Sequence, residues 1–171
     1  MDYAENSGLI EIHNCHKARK SFHIEEAQNN PTIPPEELPR LVADMKQWLE
    51  EGKIQAKTYY LLGWSLLTGV RPAEAVSVEW CEIDWENATW HIPAEKMKGR
   101  MNKKMPHSVP LSRQALEILQ NMREIGGRTF IFNSYANPKN PMSSETVNRV
   151  LNRNGYKDIL TAHGLRSIVR T

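Results

Sequence analysis

The stretch TYYLLGWSLLTG, Thr58 to Gly69, restricts the fold more than any other part of this chain. From Tyr59 to Leu67 its residues are apolar nearly all round a helix, whereas a surface helix carries an apolar stripe and a polar face. Such a helix must be enclosed by other elements, so it predicts a central helix ringed by partners. Gly69 suits the left-handed position that closes a helix. RPAEAVSV then begins a second, short helix at once, with Pro72 in a first turn where its missing N–H costs nothing.

The flanking sequence supplies the partners. Pro35, Glu36 and Glu37 read as the first turn of a helix, and Leu38, Leu41, Val42, Met45, Trp48 and Leu49 follow helical spacing until EGK stops it. Ser112 caps a helix that carries Ala115, Leu116, Leu119 and Met122 on one face. Ser143 or Ser144 caps another, with Thr146, Val147, Val150 and Leu151 behind it and a stop at Gly155. Between these, WCEIDWENATWHIPAE reads as two short strands joined at WEN, with Trp90 and Ile92 on alternate positions, and MPHSVPLS pairs back as a third. The basic KMKGRMNKK is left as the tip of a hairpin, and GGRTFIFNS as a turn with an extended segment. The resulting class is α+β, mainly α-helical, with a small antiparallel three-stranded sheet.

Charge narrows the function. The net formal charge of +2 hides a division: residues 1–95 hold 8 Lys/Arg against 16 Asp/Glu, and residues 96–171 hold 14 against 4. No acid lies between Glu95 and Glu117, where Lys96, Lys98, Arg100, Lys103, Lys104 and Arg113 gather. Such asymmetry points to a polyanionic partner, with mutual neutralisation of the two halves as the plain alternative. No apolar run reaches membrane-span length, the N-terminus lacks a signal-peptide pattern, and Cys15 and Cys81 form no disulfide framework. A cytoplasmic protein without membrane partners is the expectation. His13, Cys15, His16 and His23 fit no standard zinc spacing, so no metal site is expected there.

His163 and Arg166, three apart in TAHGLRSIVRT, share one face of a helical turn and could reach a single anion. Taken with LLTGVRPAEAVSVEWCEIDWENATWHIPAEKMKGR, PHSVPLSRQALEIL and NPMSSETVNRVLNRNGY, in that order, this segment resembles the catalytic domain of tyrosine recombinases, the phage-integrase family, in its prophage and genomic-island branch. The resemblance runs from about Pro34 to Thr171. It implies that residues 34–171 are a recombinase catalytic domain and 1–33 the end of a core-binding region with its linker. It further implies that Arg71 is the first catalytic arginine, with Glu74 its accompanying acid, and that His163 and Arg166 are the H-x-x-R pair. Lys98 is the best match for the hairpin lysine, with Lys96, Lys103 or Lys104 able to take that role. Lys96, Arg100, Lys103 and Lys104 are expected to bind DNA.

The resemblance also implies a tyrosine nucleophile after H-x-x-R, but Tyr3, Tyr59, Tyr60, Tyr135 and Tyr156 all precede it. The expectation is therefore a fragment truncated before its nucleophile, from a parent enzyme that cuts and rejoins double-stranded DNA through a 3′-phosphotyrosine link and assembles with other subunits. Chemistry suits these residue types. Two guanidiniums can clamp the oxygens of a five-coordinate phosphorus, a lysine can protonate the departing oxygen, and no cofactor or metal is called for. Against this stand a non-catalytic DNA-binding module and a helical protein-interaction domain. Taken alone, Arg71 is more simply a surface cation paired with Glu74, and H-x-x-R a chance spacing. Trp48, Trp64, Trp80, Trp85 and Trp90 read mainly as core, and His91 and His107 as surface or strand residues at the hairpin.

Overall fold

A computed structural model describes residues 6–9, 30–97 and 104–169. A 3₁₀ turn at Pro35–Glu37 leads into α1 (Leu38–Glu50), followed by α2 (Ala56–Thr68) and the short α3 (Pro72–Val76). β1 (Ile83–Asp84), β2 (Thr89–Ile92) and β3 (His107–Pro110) precede α4 (Arg113–Ile125), α5 (Thr146–Arg153) and α6 (Ala162–Val169).

The segment that must be enclosed is enclosed. α2 contacts α1, α3, α4, α5 and α6, and Leu61, Leu62 and Trp64 are buried within it. Its packing against α4 is close: a methyl group on Gly63 would sit 3.1 Å from Ile118 Cδ1. Trp64 meets Trp90 of β2 with ring centroids 5.2 Å apart and Phe132 at 6.1 Å, joining helices, sheet and the extended 130–133 segment in one core. α2 ends as its sequence indicates: Gly69 takes φ 58°, and its N–H donates to the Ser65 carbonyl at 3.2 Å.

The sheet has the order β1-β2-β3, antiparallel throughout, with Trp90 opposite Ile83 and Val109, and Ile92 opposite His107. Trp90 and Ile92 face the core from alternate positions, as a period of two requires. His91 lies on the opposite, exposed face, where its Nδ1 is 3.0 Å from Ser108 Oγ, and His107, opposite Ile92 at the start of β3, is exposed at the sheet's end.

Three details depart from expectation. Glu36 and Glu37 lie in the 3₁₀ turn, and α1 proper begins at Leu38. Neither serine caps α5: the helix begins at Thr146 with Glu145 at the cap position, because Ser143 is used one step earlier. Its hydroxyl accepts from Glu145 N–H at 3.2 Å and its carbonyl from Thr146 N–H at 2.9 Å. Trp85 is not a core residue like Trp48, Trp64 and Trp90: it is exposed, with the Arg123 guanidinium 4.4 Å over its ring, and stacks at 6.4 Å on Trp80, which is half-buried against the core.

Candidate functional site

The site is built on three helix starts. α3 begins at Pro72 with Arg71 just ahead of it in extended conformation. Glu74, one turn in and only 4% exposed, reaches back with both oxygens. Oε2 accepts the Arg71 backbone N–H at 2.9 Å, and Oε1 accepts Arg71 Nη1 at 2.8 Å. One buried carboxylate therefore closes the first turn and fixes the direction of the guanidinium, whose side chain keeps 36% exposure. The plain reading of Arg71, a cation paired with Glu74, is met in a form that leaves the remaining guanidinium donors for an anion.

α6 supplies the second group. Its first turn has orphan N–H groups, and two side chains accept them. Thr161 Oγ1 takes Gly164 N–H at 3.0 Å, and Asn148 Oδ1 on α5 takes Ala162 N–H at 2.8 Å. Asn148 Nδ2 donates to Glu145 Oε2 at 3.0 Å, so one amide ties the start of α5 to the start of α6. From behind, the Pro31–Thr32 segment presses on the same turn. The Pro31 carbonyl accepts Thr161 N–H at 3.2 Å, Thr32 Oγ1 donates to the Gly164 carbonyl at 3.0 Å, and a methyl on Gly164 would collide with Pro31 O. His163 is left exposed on the outer face of this clamped turn.

Arg71 and His163, 92 positions apart in the sequence, line one open cleft of about 300 Å³ together with Lys96, Ser144, Glu145 and Asn148. Arg166 is half-buried one turn along α6 and is not among the described residues lining the cleft. Sequence reasoning missed Asn148 and Ser144. TVNRVLNR shows an apolar stripe, but nothing in it indicates which polar residue meets another helix.

The hairpin base is equally constrained. Lys96 Nζ pairs with Glu79 Oε1 at 2.7 Å and with Glu82 Oε1, and donates to the Ser77 carbonyl at 2.7 Å. Glu82, itself buried, also accepts Trp90 Nε1–H at 3.1 Å. Burial acts to depress the Lys96 ammonium, but the Glu79 and Glu82 carboxylates outweigh it and raise its pKa above the ordinary lysine value. Lys104 Nζ donates to the Glu95 carbonyl at 2.9 Å. Lys98, Arg100 and Lys103 lie outside the described residues, as do His13, Cys15, His16 and His23. Among the described residues no helix is long and apolar enough to cross a membrane, and no cluster of three His, Cys, Asp or Glu is placed to hold a metal ion.

Comparison with known proteins agrees with this architecture. Residues 31–171 match the model of the phage integrase family. Over 172 residues the chain is 44% identical to the prophage integrase IntA of Escherichia coli K12, covering all of this chain and 40% of that protein. It is 30% identical over 181 residues to the integrase of enterobacteria phage P4, covering 99% of this chain and again 40% of the relative. Among solved structures, a lambda integrase dimer bound to a COC′ core site superposes with a TM-score of 0.62 at 19% identity, over 98% of this chain and 59% of that one. XerA recombinase gives 0.59 at 16% identity, over 87% and 53%. At these identities the superpositions speak to the fold: a mainly helical domain with a three-stranded antiparallel sheet.

Proposed function

The chain belongs to the phage integrase family, and from that premise we propose that the cleft between α3, α5 and α6 grips the scissile phosphate of duplex DNA in a tyrosine-type site-specific recombinase. The observation that carries this reading is the meeting of Arg71 and His163 in one cleft. Neither residue is near the other in sequence: Arg71 is held by the buried Glu74 carboxylate, and His163 rides on a turn capped by Thr161 and Asn148. An enzyme that stabilises developing charge needs donors fixed before the reaction begins, and the Glu74 carboxylate gives Arg71 that fixity.

The intact recombinase carries a tyrosine nucleophile. Its phenolic oxygen attacks phosphorus, the bond to the 5′ oxygen breaks, and that oxygen leaves with a proton, so a 3′-phosphotyrosine link replaces a phosphodiester. Rejoining reverses each step. In the five-coordinate transition state Arg71 donates to the non-bridging oxygens, where a lost donor costs about 2.7–4 kcal/mol of barrier. Arg166 serves as the second guanidinium and His163 as a hydrogen-bond or proton partner of the phosphate. The acid for the leaving oxygen is Lys98, two positions after Lys96 in the sequence. Lys96 suits that task poorly, because its two carboxylates hold the proton more tightly. Its role is to anchor the hairpin base beside α3. Arg100, Lys103 and Lys104 contribute backbone contacts from the same loop. Such a protein acts on attachment-site DNA in the cytoplasm, as an assembly of subunits, and residues 34–171 form its catalytic domain behind residues 1–33, the end of a core-binding region and its linker.

The test uses the intact recombinase and a nicked suicide duplex, on which cleavage traps the covalent adduct. The wild type gives a protein–DNA band stable to denaturant, and Arg71→Ala reduces its rate by about a hundred- to thousandfold while duplex binding survives. Absence of any adduct from the intact wild type would leave a non-catalytic DNA-binding module as the better reading.

A further inference from the structure

A second cleft, of about 450 Å³, opens beside the first, between the start of α2, α5 and the 134–143 loop. α5 separates the two. Glu145 and Asn148 face the Arg71 cleft, while Thr146, Arg149 and Arg153, spaced along a neighbouring stripe of the same helix, line the second. Its chemistry is that of a polyanion site. Arg149 and Arg153 are exposed, and among the described residues neither makes an ion pair; no carboxylate lines the cleft. Lys53, which also lines it, is paired with Glu51 at 2.7 Å.

The far wall offers hydroxyl donors in fixed places. Lys57 Nζ donates to Asn133 Oδ1 at 2.7 Å and to the Asn133 carbonyl at 3.3 Å, and lies 4.7 Å from the Tyr135 ring centroid. This half-exposed ring is thereby fastened to α2, with its hydroxyl 3.4 Å from Thr58 Oγ1. α2 also opens the cleft with its N-terminus, a thirteen-residue helix whose cap residue Gln55 makes no side-chain bond. Two guanidiniums, two hydroxyls and a helix start thus face one space with no acid among them.

We propose that this second cleft holds the sugar–phosphate backbone of the duplex whose scissile phosphate occupies the Arg71 cleft, with Arg149 and Arg153 as its phosphate contacts; this rests on the DNA-binding reading above. Spacing agrees with a single strand serving both. The two clefts flank a single helix, roughly 10 Å across with its side chains, a span that neighbouring phosphates of one strand can bridge. Contacts there fix register and contribute affinity without reading sequence.

The experiment measures duplex affinity of the 171-residue chain by fluorescence anisotropy on a labelled 30-base-pair DNA from 50 to 200 mM KCl. Each phosphate contact adds about 0.9 to the slope of log affinity against log salt. Arg149→Ala/Arg153→Ala is expected to lower that slope by about 1.8, so that affinity falls about twelvefold less over the range than in the wild type. Arg149→Lys/Arg153→Lys keeps the slope, and thermal unfolding stays unchanged in both because the side chains are exposed. Lys46→Ala, at an exposed cation on α1, serves as the control for net charge. An unchanged slope in the double alanine variant overturns the second cleft while leaving the steep wild-type dependence, and with it the DNA reading, intact. An equal fall in Lys46→Ala overturns it too, since charge and not place would then be the cause. Wild-type binding indifferent to salt would overturn both.

Discussion

Replacing Glu74 by Gln isolates the device that aims Arg71. The substitution keeps the shape and one acceptor, so the bond from the Arg71 backbone N–H can persist, but it removes the charge opposite Nη1. A hydrogen bond to a charged group contributes about 1.5–3 kcal/mol. The lower half of that range applies here, because the Arg71 side chain is 36% exposed and water screens its charge. The expected loss is about 1.5–2 kcal/mol, or roughly 3–8 °C in midpoint for a chain of this length. Arg71→Met, which keeps the aliphatic stem, costs at least as much, since it leaves a carboxylate that is 4% exposed without its cation. Urea denaturation of wild type, Glu74→Gln, Arg71→Met and the double variant closes a thermodynamic cycle. The double variant should be more stable than the sum of the singles predicts, with a coupling of about 1.5 kcal/mol. Additivity within about 0.5 kcal/mol, the behaviour of independent sites, would mean that Glu74 does not hold the guanidinium and that the pre-set geometry of the cleft is not real.

Other perturbations report on the remaining supports. Gly164→Ala drives a methyl into the Pro31 carbonyl, so it should destabilise by about 1–3 kcal/mol in thermal or urea unfolding; a neutral result would mean the Pro31–Thr32 segment does not clamp α6. Asn148→Ala strands the Ala162 N–H and should cost about 1–3 kcal/mol, with a parallel loss of DNA affinity from a displaced His163. Ser112→Ala removes the hydroxyl that accepts Ala115 N–H at 3.2 Å and should lower stability by about 1 kcal/mol. Burial, then the Asp44 carboxylate accepting its hydroxyl at 2.7 Å, pushes Tyr156 from the ordinary 10.0 up to about 12. The neutral phenol is favoured in the folded state, so its contribution is complete below pH 10 and is lost as pH rises from about 10 through 12. Tyr156→Phe should flatten the stability profile in that window.

The sequence makes local features plain and long-range ones obscure. An all-round apolar helix can only be central, so the position of α2 could be read from Tyr59 to Leu67, and Gly69 marked its end because no other residue takes φ 58° as readily. The hairpin followed from alternation at Trp90 and Ile92. Arg71 and His163 were visible as residue types in a pattern, but their approach across a single cleft was not, since it depends on α3 and α6 both packing on α2. The Pro31–Gly164 contact joins the two ends of the domain and leaves only a glycine as its trace. Lys96 looked like one of several loop cations because Glu79 and Glu82 reach it through tertiary structure alone. Ser143 and Ser144 were misread as caps because a serine before a helix suits a tight turn as well as a cap, and nothing local decides between them.

A structure of the intact recombinase on a nicked attachment-site duplex tests the central claim most directly. The account predicts one phosphate within hydrogen-bond distance of both the Arg71 guanidinium and the His163 imidazole, with Glu74 still bound to Arg71. A scissile phosphate seated elsewhere, with these two side chains contacting different groups or none, would contradict it.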